Sequence, residues 1–72
     1  MSNIKIKAKS DLYNRVVKSG RSRSRLAKEA SLSLSHISSV MRGKYSISPE
    51  KAKKICEILN CEFDDIFELI GG

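Results

Sequence analysis

Residues 22–43, S-R-S-R-L-A-K-E-A-S-L-S-L-S-H-I-S-S-V-M-R-G, decide the fold of this chain because they predict two short helices joined by a tight turn. Ser33 stands before the second helix as an N-cap, and Ile37 and Val40 then place apolar side chains three residues apart. Gly43 ends that helix, since glycine adopts the left-handed conformation at a helix end without steric cost. A pair of helices like this on a basic surface has the geometry that insertion into the major groove of DNA requires.

Basic residues are concentrated in the first three quarters of the chain. Residues 1–54 hold all 14 lysines and arginines and only three acidic residues, which gives this part a net charge of +11. Residues 55–72 hold five acidic residues and no basic residue, a net charge of −5. This distribution is typical of a protein that presents its basic end to a polyanion such as a nucleic acid. The alternative is a basic face that is only solvated.

Length and apolar content limit the class of protein. A chain of 72 residues is long enough for one domain and too short for two. Its beginning lacks the pattern of a signal peptide, and no apolar run approaches the roughly 18 residues of a membrane span. It also lacks a nucleophile–base set, paired carboxylates and a phosphate-binding glycine loop, so an enzyme is not expected. We therefore expect a single-domain cytoplasmic protein that does not bind a membrane.

Residues 1–9 alternate apolar and basic side chains, as Ile4, Lys5, Ile6 and Lys7 illustrate. A period of two residues is typical of a short strand. A flexible basic arm that lies along phosphates is the alternative reading. Because an isolated strand has no partner in an otherwise helical chain, we predict the flexible arm for residues 1–9.

Residues 10–72 carry apolar stripes at helical spacing. This pattern predicts one all-α domain of five short helices. The predicted helices run from residue 10 or 11 to about 19, from 22 to 30, from 34 to 42, from 48 to 60 and from 64 to 70. The fourth has the clearest start, because Ser48 is followed by Pro49, which needs no backbone N–H in the first helical position. Ile47 and Ala52 flank that start as a hydrophobic staple.

Two cysteines and one histidine are the only candidates for soft metal ligands. Cys56 and Cys61 are separated by four residues, and His36 is distant in sequence, which is not a zinc-binding pattern. Cys56 falls on the apolar stripe of the fourth helix, where a thiol packs as a small hydrophobic group. We expect core packing, and neither a metal nor another cofactor.

Several of these features occur in one register that resembles the Cro/repressor helix-turn-helix family, often called XRE-like. The matching segments are Leu26-Ala27, Ser33 to Val40, Arg42-Gly43-Lys44, Ser48-Pro49 and the closing I-L-N-C-E-F-D-D-I-F-E-L. The resemblance covers about residues 10–70. It implies a compact five-helix, lambda-repressor-like domain that binds double-stranded operator DNA, commonly as a dimer on a palindromic site.

The resemblance also assigns contacts by position. Arg23 stands where the family has a polar residue that usually touches a phosphate, and Arg42 and Lys44 follow the recognition helix, where basic residues reach the DNA backbone. The positions at which the family presents side chains to the groove are occupied by Leu34, Ser35, His36, Ser38 and Ser39. For His36, a contact with a base or phosphate and an exposed ring without a role are both open.

An alternating basic run, Arg21, Arg23 and Arg25, lies at the start of the second predicted helix. Phosphate contact is the reading that we favour, and a solvated face is the alternative.

Three positions depart from the family pattern. Ser31 replaces the glycine that is usual in the turn, although a positive φ is strained for serine. Arg21 occupies a place that is often apolar. Leu34 stands where the family often has glutamine, and a leucine cannot form the paired hydrogen bonds that distinguish adenine or guanine. The sequence therefore predicts good affinity for DNA but poor discrimination between DNA sequences.

Two functions follow from the resemblance. The first is a transcriptional regulator of a phage lysis/lysogeny switch, similar to the Cro proteins and acting in a bacterial host. The second is an antirepressor, similar to the modulator-of-repression proteins of lactic-acid-bacterial phages, which would bind the phage repressor and change its operator binding. Antitoxins often use the same fold and form a minor alternative.

The apolar residues near the end of the chain are compatible with a homodimer but do not require one. Phe63, Ile66, Phe67, Leu69 and Ile70 exceed what one face of a short helix can bury. The surplus either closes the core or forms an interface between subunits.

Overall fold

Five helices and two short strands make up the computed structural model, which describes residues 4–71. The elements in chain order are β1 (Lys5–Ala8), α1 (Asp11–Lys18), α2 (Arg23–Glu29), α3 (Leu34–Met41), α4 (Pro49–Leu59), α5 (Phe63–Ile66) and β2 (Phe67–Ile70). The five predicted helices are confirmed, but the two strands make the all-α description approximate. No helix within residues 4–71 combines the length and apolar character that a membrane crossing requires.

Serine side chains begin three of the helices. The hydroxyl oxygens of Ser22, Ser33 and Ser48 accept hydrogen bonds from backbone N–H groups three residues ahead, at 3.2, 3.1 and 3.3 Å. Each of these residues has extended backbone angles, as an N-cap requires. Ser10 differs from these three: it precedes α1 in a helical conformation, and its side chain makes no capping bond.

Left-handed residues end the first four helices. After α3, Gly43 has a φ of 76°, its N–H bonds to the Val40 carbonyl at 3.0 Å, and the next N–H bonds to the Ser39 carbonyl at 3.0 Å. This paired arrangement is the Schellman motif. Ser31 ends α2 in the same way with a φ of 59°, which confirms that a serine occupies the strained position of the turn. Gly20 and Asn60 complete the set.

The core lies where the apolar stripes of the helices meet one face of the sheet. Its buried side chains are Ile6, Leu12, Val16, Leu26, Ala27, Ala30, Ile37, Val40, Ile47, Ala52, Ile55, Cys56, Ile66 and Phe67. The two predicted staple residues, Ile47 and Ala52, are both among them. Cys56 is also buried, so the prediction that it packs in the core is confirmed.

The two ends of the chain pair as an antiparallel sheet, and this corrects two predictions. Lys5–Ala8 is a strand rather than the predicted flexible arm, because Phe67–Ile70 pairs with it. The sequence prediction had identified no partner strand. Phe67 in turn has extended backbone angles, so the fifth helix ends at Ile66 and does not reach residue 70. Residues 1–3 of the predicted arm lie outside the described residues.

The apolar residues near the end of the chain divide into two groups. Ile66 and Phe67 are fully buried, and Phe63 packs against the core with its ring 5.5 Å from that of Phe67. Leu69 and Ile70 are 62% and 47% exposed. The core therefore takes the first group and leaves the second on the surface.

The strained turn residue gives a test of the fold. Replacing Ser31 by glycine should raise the free energy of unfolding by about 0.5–1 kcal/mol, because glycine adopts a positive φ without the clash that serine suffers. Ser24→Gly, at an exposed position inside α2, should instead lower it by about 0.5 kcal/mol. Denaturant unfolding followed by circular dichroism measures both changes, and a loss of stability in Ser31→Gly would contradict the turn geometry.

Candidate nucleic-acid interface

The start of α3 is exposed at the surface of the helix-turn-helix. Ile37 and Val40 are fully buried and fix the inner side of the helix, whereas Leu34 is 49% exposed and Ser35 is exposed as well. The Ser33 cap holds the first turn in place by accepting the N–H of His36. The helix therefore presents its N-terminal turn to solvent, as a recognition helix does.

The five predicted groove-facing residues differ in exposure. Leu34 and Ser35 are exposed, and His36, Ser38 and Ser39 are half-buried. All five lie on α3, so the structure brings them together on one short helix. Their contacts with DNA or with a protein remain predictions.

Two of the three predicted phosphate-binding arginines are held by one carboxylate. The Nε of Arg21 donates to Glu29 Oε1 at 2.6 Å, and the Nε of Arg25 donates to Glu29 Oε2 at 3.4 Å. Side-chain exposure is 23% for Arg21, 31% for Glu29 and 64% for Arg25. The contact between Arg21 and Glu29 is the closer and more sheltered of the two, so it restrains its arginine more strongly.

Glu29 is ionised in this arrangement. The hydrogen bond from Arg21 lowers the pKa of the Glu29 carboxyl below its usual value, and the charges of Arg21 and Arg25 act in the same direction, while partial burial opposes them. The single negative charge of Glu29 is therefore shared by two arginines, Arg21 and Arg25.

The remaining predicted cations are uncompensated. Arg23, Arg42 and Lys44 are exposed, and no ion pair within residues 4–71 involves any of them. Arg23 begins α2, and Arg42 and Lys44 lie at the end of α3. The helix-turn-helix thus carries free positive charge at both ends of its two-helix unit.

Strand β1 supports the segment that follows α3. The Nζ of Lys7 donates to the Gly43 carbonyl oxygen at 3.1 Å, and β1 also contacts α3. Lys7 therefore stabilises the turn between Arg42 and Lys44. The sequence had predicted a flexible arm that includes Lys7. No local sequence pattern indicates the contact between Lys7 and the Gly43 carbonyl.

Both cysteines are thiols with a raised pKa, and Cys56 is buried whereas Cys61 is half-buried. Burial raises the pKa of Cys56 to about 11, and burial also raises the pKa of Cys61. Neither is in a disulfide. Both groups are protonated near neutral pH, and a protonated thiol is a poor nucleophile and metal ligand. Within residues 4–71 no cluster of histidine, cysteine and carboxylate side chains is arranged to hold a metal ion.

The chain belongs to the XRE-type helix-turn-helix family, whose model matches residues 12–66. Membership of this family supports a role for the protein as a DNA-binding transcription regulator. Among solved structures, the chain is similar to the transcriptional regulator VanUg, with a TM-score of 0.69 and 22% identity over 96% of this chain and 89% of that one. At that identity the likeness shows the fold alone. No curated protein matches the chain.

The Glu29 ion pairs predict a pH-dependent stability. A carboxylate whose pKa is lowered by folding stabilises the fold above its unfolded pKa, 4.5 for Glu29, and loses that contribution as the pH falls through its folded pKa. Glu29→Gln should therefore lower the unfolding temperature at neutral pH, and the difference from the wild type should shrink as the pH falls below about 4. Glu57→Gln, which removes an exposed α4 charge that is in no ion pair with any described residue, is the matched control. An equal effect of both variants at neutral pH would contradict the Glu29 geometry.

Proposed function

We propose that this protein regulates transcription in a phage-type lysis/lysogeny switch by binding operator DNA with α3 in the major groove. The observation that supports this most is the exposed start of α3 between the uncompensated cations Arg23, Arg42 and Lys44. A polar helix end flanked by positive charge fits the groove between two phosphate backbones. The proposal places the protein in the cytoplasm of a bacterial host.

The proposed contacts divide into two kinds. The exposed cations bind phosphates, which position the protein and give affinity without reading sequence. The residues left to contact base edges are Ser35, His36, Ser38 and Ser39. A serine hydroxyl can form a hydrogen bond with either class of base. Leu34 can contact a thymine methyl group but cannot form paired hydrogen bonds. Sequence selectivity in this proposal is therefore modest for one domain.

A dimer on a palindromic operator would compensate for that modest selectivity. Two copies related by a twofold axis would place their α3 helices about 34 Å apart, one turn of the duplex. Each half-site then adds its own discrimination, and the two multiply when both copies must bind together.

One observation favours a second candidate function, an antirepressor that binds the switch repressor. Leu34 is an exposed apolar side chain at the position that should first meet the groove. An apolar residue within a polar rim is a common centre of a protein interface. In this alternative the repressor protein is the primary partner and operator binding changes through the complex.

A gel-shift assay with switch-region DNA separates the two functions. The protein is titrated alone, with the purified repressor, and with an unrelated duplex of equal length. A specific shift by the protein alone supports the operator-binding regulator. The repressor is also titrated alone, and a change in its shift when this protein is added supports the antirepressor. No shift by this protein alone, together with an unchanged repressor shift, contradicts both.

Opposite charge changes on α2 should shift DNA affinity in opposite directions. Arg23→Gln should weaken binding to all duplexes and reduce the slope of log affinity against log salt by about one, because one phosphate contact is lost. Glu29→Gln should tighten binding several-fold because it releases Arg21 and Arg25. Glu57→Gln removes the same charge from α4 and serves as the control. Fluorescence anisotropy over a range of salt concentrations measures all three, and weaker binding by Glu29→Gln would contradict the role of that carboxylate.

The exposed leucine tests the antirepressor function directly. Burying a leucine stabilises a contact by about 1.5–3 kcal/mol, and about 1.4 kcal/mol is a tenfold change in affinity. If the repressor covers Leu34, Leu34→Gln should weaken that complex at least about tenfold. Val17→Gln, at a similarly exposed position on α1, should leave it unchanged. Calorimetric titration against the repressor measures both, and equal affinities would remove Leu34 from the interface.

A further inference from the structure

Strand β1 holds both ends of residues 43–47, the segment that joins α3 to α4. At the first end, the Nζ of Lys7 donates to the Gly43 carbonyl oxygen at 3.1 Å. At the other end, the N–H of Ile47 donates to the Ile6 carbonyl oxygen at 3.1 Å, and these two residues form an isolated antiparallel bridge. Two consecutive residues of β1 therefore fix the two ends of one short segment.

The side chain of Lys7 reaches this segment although a carboxylate is available across the sheet. Glu68 lies directly opposite Lys7 in the ladder, so the two side chains are on the same face. No ion pair within residues 4–71 involves Glu68, and the Lys7 ammonium donates to Gly43 instead. Lys7 is also half-buried. Its side chain therefore links the sheet to the segment after α3 rather than pairing across the sheet.

The residues between the two fixed ends form the exposed part of the segment. Lys44, Tyr45 and Ser46 lie outside every helix and strand, and Lys44 and Tyr45 are exposed. Connecting segments are more mobile than the elements that they join. Fixing the ends of such a segment reduces the conformational entropy that it loses when it contacts a ligand. The contacts with β1 therefore determine how well Lys44 is ordered before binding.

We infer that Lys7 is a positioning residue for DNA binding and acts through Lys44. By holding the Gly43 carbonyl, Lys7 fixes the backbone immediately before Lys44, so the Lys44 ammonium meets a phosphate at a smaller entropic cost. This role rests on the proposed function, because it requires Lys44 to contact a phosphate. It is an indirect role, in place of the direct phosphate contact that Lys7 would make in a flexible arm.

The direct and indirect roles differ in their effect on salt dependence. Each phosphate contact contributes about 0.9 to the slope of log affinity against log salt. If Lys7 acts only through Lys44, removing both side chains costs one phosphate contact. If Lys7 binds a phosphate of its own, removing both costs two. A double variant therefore separates the two roles.

Fluorescence anisotropy with a labelled duplex from the proposed switch region measures the affinities over a range of salt concentrations. Lys7→Met keeps the apolar stem and removes the ammonium, and it should weaken binding about threefold to tenfold, since residues in one contact network are coupled on this scale. Lys44→Gln should weaken binding at least as much. The double variant should bind no more weakly than Lys44→Gln, because Lys7 then has nothing left to position, and its slope should be about one below that of the wild type.

Two control variants distinguish positioning from charge and from folding. Lys5→Met removes the same charge from the same strand, at an exposed side chain without a hydrogen bond or ion pair inside residues 4–71, and should change the affinity less than about twofold. Lys7→Arg keeps a charged donor and should bind as the wild type does. A purely structural loss would lower the fraction of folded protein, seen by circular dichroism, and would leave the salt slope unchanged.

The outcomes separate this inference from the proposed function. Additive losses, with a slope about two below the wild type in the double variant, would give Lys7 a phosphate of its own and overturn the inference alone. Wild-type affinity of Lys7→Met, or an equal loss in Lys5→Met, would overturn it in the same way. Unchanged binding by Lys44→Gln would overturn both the inference and the proposed phosphate contact of Lys44.

Discussion

Burial of Ile37 and Val40 is the constraint on which the rest of the structure depends. An eight-residue helix is marginal in isolation, so α3 exists because these two side chains are removed from water against the core. Full burial of each is worth about 1.5–3 kcal/mol, more than the roughly 1 kcal/mol of the Ser33 cap. The cap therefore sets where the helix begins, and packing sets which side faces outward. The exposed side at Leu34 and Ser35 is a consequence of that choice.

The electrostatic character of the helix-turn-helix is decided by contacts within the protein as much as by its composition. The sequence carries a large positive charge in residues 1–54, yet Glu29 restrains two arginines and the Gly43 carbonyl engages Lys7. Counting basic residues therefore overestimates the charge that is available to phosphates. The cations of the helix-turn-helix that remain exposed and outside any ion pair of the described residues, Arg23, Arg42 and Lys44, stand at the two ends of the helical pair.

The features predicted correctly from the sequence are local ones. Ser22, Ser33 and Ser48 cap helices because the bond that each makes lies three residues ahead, and the helix-ending role of Gly43 is equally local. The small sheet was missed because its strands lie at opposite ends of the chain, and alternation in residues 1–9 does not identify a partner. The strand at 67–70 was read as helix because Phe67 and Ile70 satisfy the helical spacing as well.

The candidate site likewise combines features that the sequence predicts with features that it does not. The position of α3 and its exposed first turn follow from the spacing of Ile37 and Val40. The pairing of Arg21 with Glu29 could not be read from the sequence, since it links residues on either side of the Ser22 cap. Resemblance to a family also could not reveal it, because family positions assign contacts to DNA and not contacts between side chains of one chain.

Chemical-shift mapping by NMR tests the central claim most directly. The uniformly labelled protein is titrated with a short duplex from the proposed switch region, and backbone amide shifts are followed for each residue. The account predicts that the largest changes fall on residues 33–39, with smaller changes at Arg23, Arg42 and Lys44. Changes confined to α4 or to the sheet, with the first turn of α3 unaffected, would contradict it.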